Sequence, residues 1–432
     1  MNRIRLHHFI WLVVLIGVVL RLTWLSDMEY KFDEKYMFER VRGFLDGSEP
    51  WQWIGMPSGV SLRNPGMSIW VFEWLGWLFR VTEPVGLARA VALCNCLAIV
   101  LTAGIGSGWR FGKAESLLPE GEREPWLWAA ALVAVNPLAL MVHRKIWAQS
   151  ILPLFCVLFL ISFWKRRSFG PAVFWGLIGA LLGQIHMSGF FFAAALAGWV
   201  LLFDRRNTNW KGWFTGSVIG ALPLLPWIHY WATEHHGGKP LTAGFQEAIQ
   251  LKFWVFWITD SLGLHVGHQL GVLRGPRITD QIGDFLRYPL WNGQPTYVMA
   301  VAHLLLIAAG LAIVIRACLK IRLRPFSRTA IGGESQTDLT RNGLLLGYGG
   351  LLTGATIWVR RYYLIITFPF EWVALAQLAL GRSTLTVDRR YGRLALVLLL
   401  LSNLLISLGV LHYVHVNGGA LQGEYGPSYR SQ

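Results

Sequence analysis

Charge is scarce in this 432-residue sequence: only 15% of positions are Asp, Glu, Lys or Arg, against 54% hydrophobic. A soluble domain with so few charges could not cover its own surface, so lipid must be the solvent for much of the chain. Cysteine is rarer still, at four residues. Cys94, Cys96, Cys156 and Cys318 all lie in or at the ends of apolar blocks. Two of them are two positions apart, which on a helix points them in different directions. Neither a disulfide framework nor a cysteine metal site is implied, and packing is the expected role. There is no internal repeat and no low-complexity stretch. Acidic residues are outnumbered, 24 against 39 Lys and Arg, for a formal charge of +15. The basic residues sit in short clusters between apolar blocks instead of forming one face, which argues for membrane topology and against a nucleic-acid partner.

What the chain does contain is apolar blocks of about twenty residues, the length that spans the hydrocarbon core as a helix. Backbone polar groups in lipid must be satisfied internally, so blocks of this length mean helices and not a barrel. The expected fold is an all-α polytopic membrane protein, one transmembrane domain over 1–432, with about eleven transmembrane helices running from 8–25 through 125–142, 211–231 and 342–358 to 393–413. A basic start (Arg3, Arg5) without a small-residue cleavage site reads as a retained signal anchor. With the N-terminus inside and the C-terminus outside, the inner segments Arg110–Arg123, Lys165–Arg167, Arg205–Lys211, Arg316–Arg341 and Arg382–Arg393 are all basic, as the positive-inside rule requires.

Two long connections then fall outside, at 26–84 and 232–295, followed by a C-terminal tail at 414–432 that either folds back over this face through Tyr425 and Tyr429 or is disordered. Loops of this length are usually functional, which makes the outer face the working face. In the first loop, Asp33–Asp46 reads as an amphipathic helix with Met37, Val41, Phe44 and Leu45 on one face. Asn64 and Pro65 offer an N-cap and first-turn Pro for a second surface helix, roughly 65–80, rich in Trp and Phe. In the second loop, 251–264 is too short to span and is either interfacial or re-entrant.

Several residues could carry chemistry. Asp33 and Glu34 stand just beyond the first membrane helix, either as helix-capping carboxylates or as a general base at the membrane surface. Two short outer turns carry basic pairs, Arg144-Lys145 and Arg360-Arg361, suited either to snorkelling or to a phosphate. His186 occupies the outer tip between two closely spaced helices, as a packed residue or as a ligand contact. His235, His236, His265 and His268 match no strong metal spacing, and the carboxylates clustered outside leave room for a divalent cation without establishing one. Arg89 and Glu371 are ionisable groups inside predicted spans, a functional flag by default. Arg89 is near the outer end of its span; Glu371, about 15 Å deeper than Arg361 from the helical rise, suits a structural pair. The Gly104–Gly108 run follows no strand and is not a nucleotide loop.

With the FDE of Phe32–Glu34 after a first helix that ends in Arg21, the long outer loop with two surface helices, RNPG at Arg63–Gly66, GQIHMSGF at Gly183–Phe190 and RRYYLIITFP at Arg360–Pro369, the sequence resembles the GT-C superfamily of membrane glycosyltransferases, nearest the branch of protein O-mannosyltransferases and the lipid A aminoarabinose transferase. The resemblance implies transfer of a sugar from a polyprenyl-phosphate donor to an acceptor hydroxyl on a protein, glycan or lipid at the outer face of the plasma membrane. It implies Asp33 as the catalytic base and Glu34 as its neighbour. Arg360, Arg361, His186, Arg144 and Lys145 are then the candidates for the donor phosphate, and Arg63, Tyr362, Tyr363 and Arg89 for substrate contact. A polyprenyl phosphate leaves readily once cations neutralise its charge, so one carboxylate to take the acceptor proton suffices for an inverting displacement. The rivals are a secondary transporter or lipid flippase, a class with midplane ionisable residues often in repeated halves, whereas here the charges crowd one face without a repeat, and a lipid-phosphate enzyme that transfers no sugar.

Overall fold

A computed structural model describes residues 3–57, 62–110, 116–234, 251–264, 266, 284–320, 331–355, 359–381, 386–420 and 425–432. His235, His236, His265, His268 and much of the second long loop lie outside the described residues. The structure is mostly helical, with two short antiparallel hairpins. Four described helices are long and apolar enough to cross a membrane: Ile4–Leu22, Pro84–Ser107, Val298–Leu319 and Arg389–Asn417. A fifth crossing arises if Arg361–Thr367 and Phe370–Leu380, bent by 76°, form one broken span.

The expected blocks at 125–142, 211–231 and 342–358 are not continuous helices, and proline and glycine explain why. The first block is α5 (Arg123–Val135) and α6 (Pro137–Val142), and the second is α10 (Trp210–Ala221) and α11 (Leu225–Thr233) on either side of Pro223. The third passes through a π-helical turn at the glycine-rich Gly343–Tyr348. The break at Pro137 accounts for a buried arginine. Pro137 has no N–H to offer the Val133 carbonyl, and the Ala139 N–H goes to the Asn136 side chain at 3.0 Å. Three carbonyls at the end of α5 therefore need other donors, and in an apolar interior leaving them bare is costly. Arg21, fully buried at the end of α1 (Arg3–Leu22), donates to Ala134 at 2.6 Å and Val133 at 2.9 Å, while Ser407 donates to Val135 at 2.7 Å.

Elsewhere close helix packing is set by small residues. α8 (Phe169–Ile185) lies so near α10 that a Cβ on Gly216 would meet the Val173 carbonyl oxygen at 1.9 Å. α5, α4 (Pro84–Ser107) and α1 pack together at the centre, and the helix Phe370–Leu380 closes on α5. On the end rich in basic segments, Arg393 pairs with Glu124 at 2.6 and 2.8 Å.

In the first long loop, α2 (Phe32–Asp46) and α3 (Met67–Phe79) form on either side of a hairpin of β1 (Ile54–Pro57) and β2 (Arg63–Pro65). One expectation fails here: Asn64 does not cap α3. Asn64 and Pro65 belong to β2, Asn64 donates to the Met56 carbonyl at 3.0 Å, and α3 begins after Gly66 with no side-chain cap. The hairpin already claims the residues that would have nucleated the helix.

Candidate active site

The ends of α1 and α6, the starts of α2 and α4, the turn after α8 and the segment 359–367 gather at one end of the bundle. The contacts that bring them together are Arg144 with the carbonyls of Thr23 and Trp24, Trp147 with Tyr362, and His186 with Tyr362 and Tyr363. A cavity of about 430 Å³ opens here between α5–α6, α12 (Lys252–Leu262) and the bent segment 359–372. Lys252, Arg360 and Arg361 bring positive charge to it, and Leu138, Val142, Ile365, Phe368 and Trp372 give it apolar walls. Arg361 Nε lies 3.5 Å from Asp260, and its guanidinium sits 4.9 Å over the Phe256 ring. Cations beside an apolar slot suit a phosphate that carries a hydrocarbon chain.

Asp33 stands in the first turn of α2. Glu34, not Asp33, performs the capping, accepting the Lys31 N–H at 3.2 Å. Among the described residues no hydrogen bond or ion pair engages the Asp33 carboxylate, and it is close enough to Lys145 and Tyr362 to act electrostatically on both. Tyr362 also lines the cavity. An unengaged carboxylate near Tyr362 is able to accept a proton.

The charged neighbours of Asp33 form a compact cluster around two buried carboxylates, Glu29 and Glu34. Lys145 lies 2.5 Å from Glu29 and 3.5 Å from Glu34, Lys31 also pairs with Glu29, and Lys145 packs 4.7 Å over Trp147. Burial raises the Glu34 pKa above the usual glutamate range, the Lys145 charge pulls it down, and Glu29 pushes it up again. Two buried carboxylates thus share the Lys145 ammonium.

The C-terminal tail holds the segment just before α2. Tyr429 N–H donates to the Met28 carbonyl at 2.9 Å, Tyr30 N–H to Pro427 at 3.4 Å, and the Tyr425 hydroxyl to the Asp27 carbonyl. The buried Asp27 carboxylate takes His415 at 2.6 Å and Arg430 at 3.1 Å, and Trp24 stacks on His415 at 4.1 Å.

The structure thus gathers Asp33, Glu34, Lys145, His186, Arg360, Arg361, Tyr362 and Tyr363. His186 is held by Ser188 at 2.7 Å. Of these, Arg360, Arg361 and Tyr362 line the cavity itself, and three other candidates fall outside the gathered group. Arg144 is buried, and its Nη2 donates to the carbonyls of Thr23 and Trp24 at 2.8 and 2.5 Å. Arg63 bonds the Gly55 carbonyl at 3.2 Å within the hairpin, and Arg89 is exposed on α4. Sequence reasoning passed over Lys252, Asp260, Asn136, His143 and Trp147, all of which line the cavity. Asp260 had a signal, as the lone acid of an apolar stretch too short to span; His143 and Trp147 had none. Among the described residues no group of three or more His, Cys, Asp or Glu could hold a metal ion.

No family model matches the chain, and no curated protein matches it. Solved structures of the oligosaccharyltransferase of Archaeoglobus fulgidus are similar in shape. The apo form aligns at TM-score 0.46 and 13% identity, over 92% of this chain and 56% of that one. The complex with an inhibitory peptide and a dolichol-phosphate aligns at 0.43 and 13%, over 93% and 56%. The form tethered with an acceptor peptide containing the NVT sequon aligns at 0.45 and 14%, over 92% and 55%. The chain spans little more than half the length of these structures, and a likeness of this size assigns it neither an activity nor a residue.

Proposed function

We propose that the chain is a membrane glycosyltransferase of the GT-C type that moves a sugar from a polyprenyl-phosphate donor to an acceptor hydroxyl. Its place is the plasma membrane, with about eleven crossings when the shorter and broken helices are counted, the N-terminus inside and the site at the outer face. One observation carries the reading: an unengaged carboxylate, Asp33, stands at the same end of the bundle as Tyr362, which lines a cavity that combines basic side chains with apolar walls. In the reaction, the Asp33 carboxylate takes the proton of the acceptor hydroxyl. The acceptor oxygen attacks the anomeric carbon as the bond from that carbon to the phosphate oxygen breaks, with inversion. The bonding electron pair leaves with the polyprenyl phosphate, whose charge Arg360, Arg361 and Lys252 stabilise. The hydrocarbon chain lies against the apolar walls, and the acceptor approaches from the side of α2, near Tyr362, Tyr363 and His186.

Replacement Asp33→Asn tests the base. Sugar transfer is expected to fall by about 10²–10⁴-fold, the usual contribution of general base catalysis, with an unchanged melting curve. Transfer that survives the substitution at wild-type rate would remove Asp33 from the chemistry. A secondary transporter or lipid flippase is the alternative. It is favoured by the 76° bend in the 361–380 segment and by the buried Asp260 and Glu371 beside it. That reading places no demand on Asp33, so the same substitution separates the two.

A further inference from the structure

Glu371 is the cavity residue to which phosphate binding gives no task. It is only 4% exposed, yet it lines the cavity. Its Oε1 lies 2.5 Å from Thr367 Oγ1, and among the described residues Oε2 has no hydrogen-bond partner. A buried carboxylate oxygen left unmatched is costly, and such a group beside a cavity points to a partner that arrives with the ligand.

A second observation comes from His143, which lines the same cavity. Its Nδ1 is 3.1 Å from Arg21 Nε. A guanidinium can only donate, so Nδ1 must hold the lone pair, and the proton of the neutral ring is on Nε2. Arg21 is itself fixed by the carbonyls that the break at Pro137 strands, so the tautomer follows from the helix break. The cavity therefore contains an acceptor at Glu371 and a donor-bearing ring at His143, among apolar side chains such as Phe368, 6.1 Å from His143 between ring centroids. Asn136 has part of its amide taken already, one N–H by the Asp260 carbonyl and the oxygen by the Ala139 N–H.

An acceptor and a donor in one apolar slot match the hydroxyl groups of a carbohydrate, which both give and accept hydrogen bonds. We infer that Glu371, assisted by His143, recognises hydroxyls of the donor's sugar and so makes the cavity selective for the sugar-loaded lipid over the bare polyprenyl phosphate. This rests on the proposed donor class and adds the residues that read the sugar. A site built to bond a hydroxyl discriminates against a ligand that lacks it, because its own polar groups are then left unpaired.

The test is a binding titration of the detergent-solubilised full chain with two probes, polyprenyl phosphate and a polyprenyl-monophosphoryl hexose. Glu371→Ala, Glu371→Gln and the wild type are compared, with melting curves as the fold check. The wild type is expected to bind the hexose-bearing lipid about tenfold or more tightly than the bare one, the scale of one buried polar group left unpaired. Glu371→Ala is expected to bring the two affinities together without weakening the bare lipid. Glu371→Gln, which keeps the shape and an acceptor, is expected to fall between. Equal weakening toward both lipids in the variants, or an undiminished preference in both, would overturn the inference and leave Glu371 as a support for the Thr367 turn. A wild type that binds both lipids equally also overturns it but leaves the donor-lipid reading standing. A wild type that binds neither overturns both.

Discussion

Two basic pairs, Arg144-Lys145 and Arg360-Arg361, look alike in the sequence and end up in opposite circumstances. Both fall in short turns between apolar blocks, at the same end of the bundle. Arg144 is buried and Lys145 half-buried, the first spent on the carbonyls that follow α1 and the second on Glu29 and Glu34. Arg360 is exposed, and it lines the cavity with Arg361. The difference teaches that a cation at a helix end is fixed in a charge cluster or faces a cavity according to what the rest of the chain brings to it. For Lys145, that is a pair of carboxylates from residues 29–34. For Arg360 and Arg361, it is α12 and an apolar slot.

The contrast can be broken most forcefully at Lys145. Lys145→Ala leaves the buried Glu34 without its ammonium and Glu29 with Lys31 alone, and removing one side of a buried ion pair costs about 3–5 kcal/mol. A large drop in melting temperature is expected, and a drop no greater than that of a surface substitution would end the comparison. Arg360→Ala is the opposite case. Its melting curve should match wild type while affinity for polyprenyl phosphate falls by about 10–150-fold, the worth of a charged hydrogen bond; an unchanged affinity in the titration described above would detach Arg360 from the phosphate.

Alkaline titration sharpens the same point more gently. Burial alone would lower the Lys145 pKa, but Glu29 and Glu34 outweigh it and hold the ammonium above its ordinary 10.5. A cation whose folded pKa is raised contributes stability that is complete below 10.5 and is lost as pH rises through the folded value. Thermal melting followed beyond pH 10.5 should therefore decline, and decline less steeply in Glu29→Gln. The smallest effect is expected at the tail, where Tyr425→Phe removes one hydrogen bond to the Asp27 carbonyl, about 1 kcal/mol. A small fall in melting temperature with little change in transfer would be the signature; an outsized loss of transfer would promote the tail from fastening to a direct part in catalysis.

Much of this was legible in advance because it depends on local periodicity. Apolar block length identified the long helices, and the amphipathic pattern of 33–46 became α2 with Met37 and Val41 buried. The crowding of candidate residues at one end followed from helix length alone. Interruptions were harder. Pro137 stands in plain view, but an apolar window counts it as one residue among twenty, so the split into α5 and α6 and the stranded carbonyls were missed. Asn64-Pro65 carries the local signature of a helix start, and the hairpin overrode it because Asn64 found the Met56 carbonyl first.

Sequence order decided that this chain belongs in lipid, which of its segments are helical, and that carboxylates and cations recur at the helix ends, because hydrophobicity and helical period are properties of neighbouring residues. Only the tertiary structure decided which of those charges cancel. Lys145 meets Glu29 across more than a hundred residues, Arg21 meets His143 at a similar separation, and Asp260 reaches Arg361 from a different segment again. A charge's role is set by the partners that surround it in a low-dielectric interior, and distant segments supply those partners only once the helices have packed.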